Sequence, residues 1–103
     1  MDNFFQRAFS VVKQIPEGRV STYGLIARMI GGPRKARYVG FAMHQSPGVA
    51  GGVPCHRVVF KDGSLAPGFA FGGPDAQREL LEAEGVQFLE NGKVDMRHFL
   101  WEA

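Results

Sequence analysis

Cys55 is the single cysteine of the chain, set between Pro54 and His56, with Arg57 following. A thiol attacks carbon as its thiolate, and a nearby base or positive field lowers its pKa. Cysteine, histidine and arginine in a row therefore read as a candidate nucleophile with a base and a cation at hand. Adjacency in sequence does not make side chains meet, and a buried, inert cysteine beside a hydrogen-bonded histidine is the commoner fate of a lone cysteine. One cysteine forms no internal disulfide and no cysteine-rich zinc site. His44, Cys55, His56 and His98 show no recognised ligand spacing, so no metal is implied, nor any organic cofactor. Taken alone, Tyr23 at a helix start reads as a half-buried core aromatic, and Glu84 as an ordinary surface glutamate.

These residues need a scaffold. Phe4, Phe5, Ala8, Phe9, Val11, Val12 and Ile15 recur at helical spacing over Asp2 to Gln14, with Asp2 or Asn3 available as a cap. Pro16-Glu17-Gly18 is a turn. Ser21-Thr22 can cap a second helix through Tyr23, Leu25, Ile26, Met29 and Ile30, which Gly31-Gly32 stops. Pro33 suits the first turn of a third helix that carries Arg34, Lys35, Arg37 and Tyr38, with Val39, Ala42 and Met43 as its apolar side. Two short helices joined by Gly-Gly-Pro, the second with a basic start, read as a helix-turn-helix. Gly48 to Gly52 is a glycine-rich link, and Val58-Val59-Phe60 a short buried strand. After a Gly/Pro/Phe loop from Leu65 to Gly73, Pro74 opens a fourth helix with Leu80, Leu81 and Ala83, capped by Gly85. Asn91-Gly92 predicts a hairpin over Val86 to Met96. Phe99, Leu100 and Trp101 are expected to fold back onto the core. The fold expected is mainly α: a winged-helix-like helix-turn-helix domain with a small β-hairpin.

At 103 residues the chain has room for one core, so residues 1–103 are read as a single domain. With 45% hydrophobic and 21% charged residues it is ordinary for a soluble globular protein. There is no N-terminal signal pattern and no apolar run of about 18 residues, so no membrane role and a reducing, cytoplasmic compartment are expected. The net charge of +2 conceals an asymmetry: residues 1–61 hold nine Lys/Arg and two Asp/Glu, residues 62–103 three and eight. A basic half suggests a polyanion-facing surface, although two solvated faces of chance composition explain it equally well.

Pro54-Cys55-His56-Arg57-Val58 behind a helix-turn-helix pattern resembles the C-terminal domain of the O6-alkylguanine-DNA alkyltransferases, the methylated-DNA–protein-cysteine methyltransferases. Gly18-Arg19-Val20-Ser21-Thr22-Tyr23-Gly24 is similar to that family's lead into the first helix of the recognition unit. Ala36-Arg37-Tyr38-Val39-Gly40-Phe41-Ala42-Met43 is similar to its DNA-binding helix, and Leu80 to Val86 to its closing helix. The resemblance spans most of residues 3–86, in the family's order.

The resemblance implies a role for each position. Cys55 would take the alkyl group from guanine O6, once. His56 would act through a water as base, with Glu84 orienting it. Tyr23 would donate its hydroxyl to guanine N3. The carbonyls of Cys55 and Val58 would accept from the guanine amino group. Arg37 would fill the space left by the flipped nucleotide, from a helix docked in the minor groove. Arg34, Lys35, Ala36, Gly40, Thr22 and Arg57 would meet DNA. Val58, Met43, Phe69, Ala70 and Phe71 would line the alkylguanine pocket. Ala36 and Gly40 would let the helix backbone approach DNA, or else let helices pack closely. The partner implied is double-stranded DNA containing O6-alkylguanine, bound by a monomer, since a single flipped base needs no two-fold symmetry.

Three departures from the pattern stand out. Met1 lies a few residues before the first helix, so the additional N-terminal domain usual in the repair enzymes is expected to be missing. Ser46-Pro47 stands where the family has Asn-Pro, an asparagine that braces the turn before the active site. Phe69-Ala70-Phe71-Gly72-Gly73 replaces a loop often ending Tyr-Ser-Gly-Gly. Alkyltransferase-like proteins share the lone-domain architecture but lack the nucleophile and hand lesions to nucleotide excision repair. The leading expectation is a single-turnover alkyltransferase. A non-catalytic lesion binder, working with nucleotide excision repair proteins, comes second. A plain winged-helix regulator comes third.

Overall fold

The computed structural model describes residues 3–66 and 72–102. Helix α1 spans Phe4–Val12, and the Asn3 side chain caps it by accepting from the Gln6 N–H at 2.8 Å. Strand β1, Ser21–Thr22, runs directly into α2, Tyr23–Met29. Thr22 caps α2, its hydroxyl accepting from the Leu25 N–H at 3.1 Å. Helix α3 spans Ala36–His44 and packs on both α1 and α2, completing the helix-turn-helix. It starts later than its proline suggested. Pro33 and Arg34 belong to the preceding turn, and Lys35 is the N-cap, its N–H bonded to the Gly32 carbonyl at 2.8 Å.

Cys55–Arg57 form a single 3₁₀ turn leading into β2, Val58–Val59, which pairs in parallel with β1. Side chains alternate across a strand, so β2 divides the interior. Val58 joins a core with Ala8, Val12, Ile15, Ile26, Val39 and Met43; Val59 joins another with Val20, Leu81, Val86 and Val94. Cys55 lies in the first of these cores.

Helix α4, Gly73–Ala83, ends with Glu84 as C-cap and Gly85 at φ +93°. The Val86 N–H bonds the Leu81 carbonyl and the Gly85 N–H bonds the Glu82 carbonyl. This pair of bonds requires a left-handed residue at Gly85, and it fixes the position of Glu84. The Asn91-Gly92 turn folds the chain back as anticipated, closing one antiparallel bridge between Phe88 and Val94. A short helix α5, Met96–Phe99, precedes the tail. The tail returns to the core: Val20 donates to the Phe99 carbonyl at 2.9 Å, and Trp101 donates to the Val20 carbonyl at 2.7 Å. No helix among the described residues is long and apolar enough to cross a membrane.

Candidate active site

The parallel pairing of β1 with β2 brings the start of α2 beside the Cys55–Arg57 turn. From the other side, the end of α4 delivers Glu84. His56 is 2% exposed, and its Nε2 lies 2.6 Å from Glu84 Oε2. Arg57 donates to the same carboxylate from Nε at 2.9 Å and from one terminal nitrogen at 2.8 Å. Its other terminal nitrogen donates to the Ile15 carbonyl at 2.8 Å. The Gly18 N–H completes the ring around Glu84, at 3.1 Å from Oε1. Gly18 has φ +83°, and a Cβ there would stand 3.1 Å from the Glu84 carbonyl oxygen, so both conformation and space call for glycine.

Burial alone would raise the Glu84 carboxyl. The hydrogen bonds from Arg57, His56 and Gly18 overcome it and hold the pKa at about 2. For His56, burial prevails over the pull of Glu84 and lowers the pKa from 6.5, so the ring is neutral at physiological pH. A neutral ring facing a carboxylate carries its proton on Nε2. Nδ1 is then a bare lone pair, and it is buried with no hydrogen-bond partner among the described residues. The arrangement supplies a base with one nitrogen anchored and the other open.

Burial pushes the Cys55 thiol up from 9.0, while a hydrogen bond from the Ser46 side chain and the backbone at Cys55 work against it. The resting thiol is therefore protonated, and attack requires removal of its proton. Ser46 is buried, and its hydroxyl also accepts from the Gly48 N–H at 3.3 Å. The serine thus braces the turn that lacks the family's asparagine. Burial, and at the high pH where the tyrosine titrates the thiolate charge of Cys55, raise the Tyr23 hydroxyl to about 12. A tyrosine so weakly acidic holds its proton and acts as a hydrogen-bond donor. Its ring packs against Phe60, with centroids 5.2 Å apart.

Other expected site residues distribute unevenly. Arg34, Lys35 and Arg37 are exposed, on and just before α3. At Gly40 an added Cβ would meet nothing within 4 Å, so this position faces open space and is not a helix contact. Ala36, by contrast, packs partly against the core. Two residues expected at the DNA are occupied internally: Arg57 engages all three guanidinium nitrogens within the protein, and Thr22 is buried as the α2 cap. Met43 and Val58 are buried beside Cys55 in one core. The Cys55 carbonyl already accepts the Val58 N–H, and the Val58 carbonyl accepts from Gln77 at 3.0 Å. A carbonyl has two lone pairs, so each keeps one for a ligand. Phe69, Ala70 and Phe71 lie outside the described residues.

Gln77 was not anticipated. It is fully buried, and its amide nitrogen donates to the His56 and Val58 carbonyls, both at 3.0 Å. Its amide oxygen accepts from the Ala66 N–H at 3.1 Å, tying the start of the Gly/Pro/Phe loop to the active-site turn. A signal existed in the sequence: Gln77 stands four residues before Leu81, on the inward face of α4.

A helix-turn-helix thus adjoins a turn that carries a buried cysteine and a histidine bonded to a glutamate. The chain belongs to the family of the 6-O-methylguanine DNA methyltransferase DNA-binding domain, whose model matches residues 3–86. It is 40% identical over 102 residues to a DNA base-flipping protein of Vibrio parahaemolyticus, covering 99% of each chain. It is 43% identical over 82 residues to a methylated-DNA–protein-cysteine methyltransferase of Methanosarcina acetivorans, covering 80% of this chain and 51% of that one. The fold matches Schizosaccharomyces pombe Atl1, solved in complex with damaged DNA containing O6-carboxymethylguanine. That match has a TM-score of 0.83 and 37% identity, and covers 100% of this chain and 98% of the other.

Proposed function

We propose that this protein binds duplex DNA through α3, extrudes O6-alkylguanine and takes the alkyl group onto Cys55 in a single turnover. The carrying observation is the relay: His56 Nε2 is anchored on Glu84 at 2.6 Å, leaving a buried Nδ1 with no partner among the described residues. In the reaction the Cys55 proton passes to His56, by way of a water in the family's scheme. The sulfur forms a bond to the alkyl carbon while the carbon–O6 bond breaks and its electron pair stays on oxygen. Tyr23 donates a hydrogen bond to guanine N3 and keeps its proton, and the proton taken up by His56 passes to the released guanine. The balance is thiol plus alkylguanine giving thioether plus guanine. Extrusion costs a few kcal/mol, which Arg37 offsets by occupying the vacated stack.

A second reading, recognition without transfer, is favoured by two observations. Burial holds the thiol protonated. The Vibrio relative that aligns over the whole chain is named for base flipping, not for transfer. On that reading the lesion is passed on, with nucleotide excision repair proteins as the expected partners. Intact-protein mass after incubation with a duplex carrying one O6-methylguanine separates the two. A gain of one methylene, mapped to Cys55, is the expected result. An unchanged mass with the lesion still bound leaves the recognition reading.

A further inference from the structure

Helix α3 turns Val39, Ala42 and Met43 inward, and all three are buried. Its outward face carries two large rings that the core does not need: Tyr38 is 53% exposed and Phe41 49%. The rings pack on one another. Tyr38 meets Phe41 edge-on with centroids 5.9 Å apart, and meets Phe4 of α1 edge-on at 6.3 Å. Phe4 in turn packs against the core and lies under the Lys35 ammonium at 5.7 Å. The ladder therefore runs from the interior out to Phe41, restricting its motion before any partner arrives.

Charge identifies the partner. Phe41 is one turn after Arg37 and one turn before His44, with Gly40 open between. Arg28 at the end of α2, Arg34 in the turn, and Lys35 and Arg37 at the start of α3 are all exposed. An exposed aromatic ring on a helix that starts with exposed cations suits a nucleic acid, which offers phosphates to the cations and apolar sugar and base surfaces to the ring. Apolar side chains pressed between or against base steps are a recurring means of keeping a duplex distorted.

We propose that Phe41 is an apolar wedge. It presses on the sugars and base edge beside the nucleotide displaced by Arg37 and keeps that step unstacked, while Tyr38 and Phe4 hold its ring in place. This inference rests on the DNA-binding reading above. It adds a contact that carries no charge, and so a distinct signature: losing it weakens binding without changing the number of counterions released.

The test measures anisotropy-based affinity, at several salt concentrations, for a duplex with one O6-methylguanine and a neighbouring 2-aminopurine. For Phe41→Ala we expect binding weakened roughly tenfold, the scale of one aromatic–base contact. The salt slope should stay parallel to the parent's, and the 2-aminopurine fluorescence gain should disappear. Tyr38→Ala falls between, and Phe41→Trp retains the parent's behaviour. Phe41 is half exposed, so the variants are expected to fold, and circular dichroism melts check this. Affinity within twofold of the parent at every salt concentration, or a reduced salt slope, overturns the wedge and leaves lesion binding intact. A parent that does not distinguish lesion from undamaged duplex overturns both.

Discussion

His56 and Arg57, neighbours in the chain, converge on one carboxylate: Glu84 Oε2 lies 2.6 Å from the imidazole Nε2 and 2.8 Å from a guanidinium nitrogen. The two partners do different things to it. The guanidinium keeps Glu84 ionised, and the ionised Glu84 keeps the imidazole proton on Nε2. Arg57 thus acts on His56 through Glu84, with all three of its guanidinium nitrogens bonded inside the protein.

Replacing Glu84 should cost more than its own contacts. Glu84→Gln leaves Arg57, 15% exposed, as a largely buried charge without its counter-ion. Breaking a fully buried pair costs about 3–5 kcal/mol, and partial solvation brings the expectation here to about 2 kcal/mol, or a Tm fall of about 10 °C. Thermal unfolding checks it; a Tm within about 2 °C of the parent would show that the pair contributes little to stability.

Stability should fall on acidification, in two stages. The folded-state pKa of His56 lies below its unfolded value of 6.5, so as pH drops below 6.5 the unfolded chain takes the proton first. Glu84 adds a second loss as pH falls from 4.5 through about 2, since its folded form resists protonation. Its contribution is full above 4.5. Urea unfolding from pH 8 to pH 3 measures both stages. A Glu84→Gln variant should lack the lower one, and stability unchanged between pH 7.5 and pH 5 would contradict the upper.

Gln77→Leu keeps side-chain size but strands two carbonyls, at His56 and Val58, and the Ala66 N–H. Each buried polar group left unpaired costs about 1–3 kcal/mol, so a total of at least about 2 kcal/mol is expected. Hydrogen exchange supplies the sharper readout. The Ala66 amide should lose protection well before the amides of α1 do.

On α3 the two arginines should separate. If exposed Arg34 meets a phosphate, as the DNA-binding proposal has it, Arg34→Ala should weaken damaged and undamaged duplex alike and lower the salt slope by about one. Arg37→Ala should erase most of the preference for the lesion. Parallel titrations of both duplexes measure it, and equal losses of preference in the two variants would refute the base-replacement role.

The helices are legible because their apolar residues repeat at helical spacing and their ends carry recognisable residues: Asn3 and Thr22 cap as read, and Gly85 supplies the left-handed residue just after the cap, which is Glu84. The start of α3 was misjudged because Lys35, a poor cap by type, fills that place, leaving Pro33 in the turn. The parallel pairing of Ser21 with Val58 left no local trace, since two-residue strands have no periodicity to display. Family resemblance supplied Glu84 as the partner of His56. It did not supply Arg57's inward turn or the buried Gln77, which depend on how α4 docks against the active-site turn.

The tail stitched to Val20 has a practical consequence. Trp101 is the chain's single tryptophan, and it packs on the same core as Tyr23 and Cys55. The molecule therefore contains its own optical probe. Its emission should report changes in that shared core in unlabelled protein, in real time and at the concentrations used for stopped flow. A dye placed beside Trp101 would disturb both the signal and the hydrogen bonds to Val20.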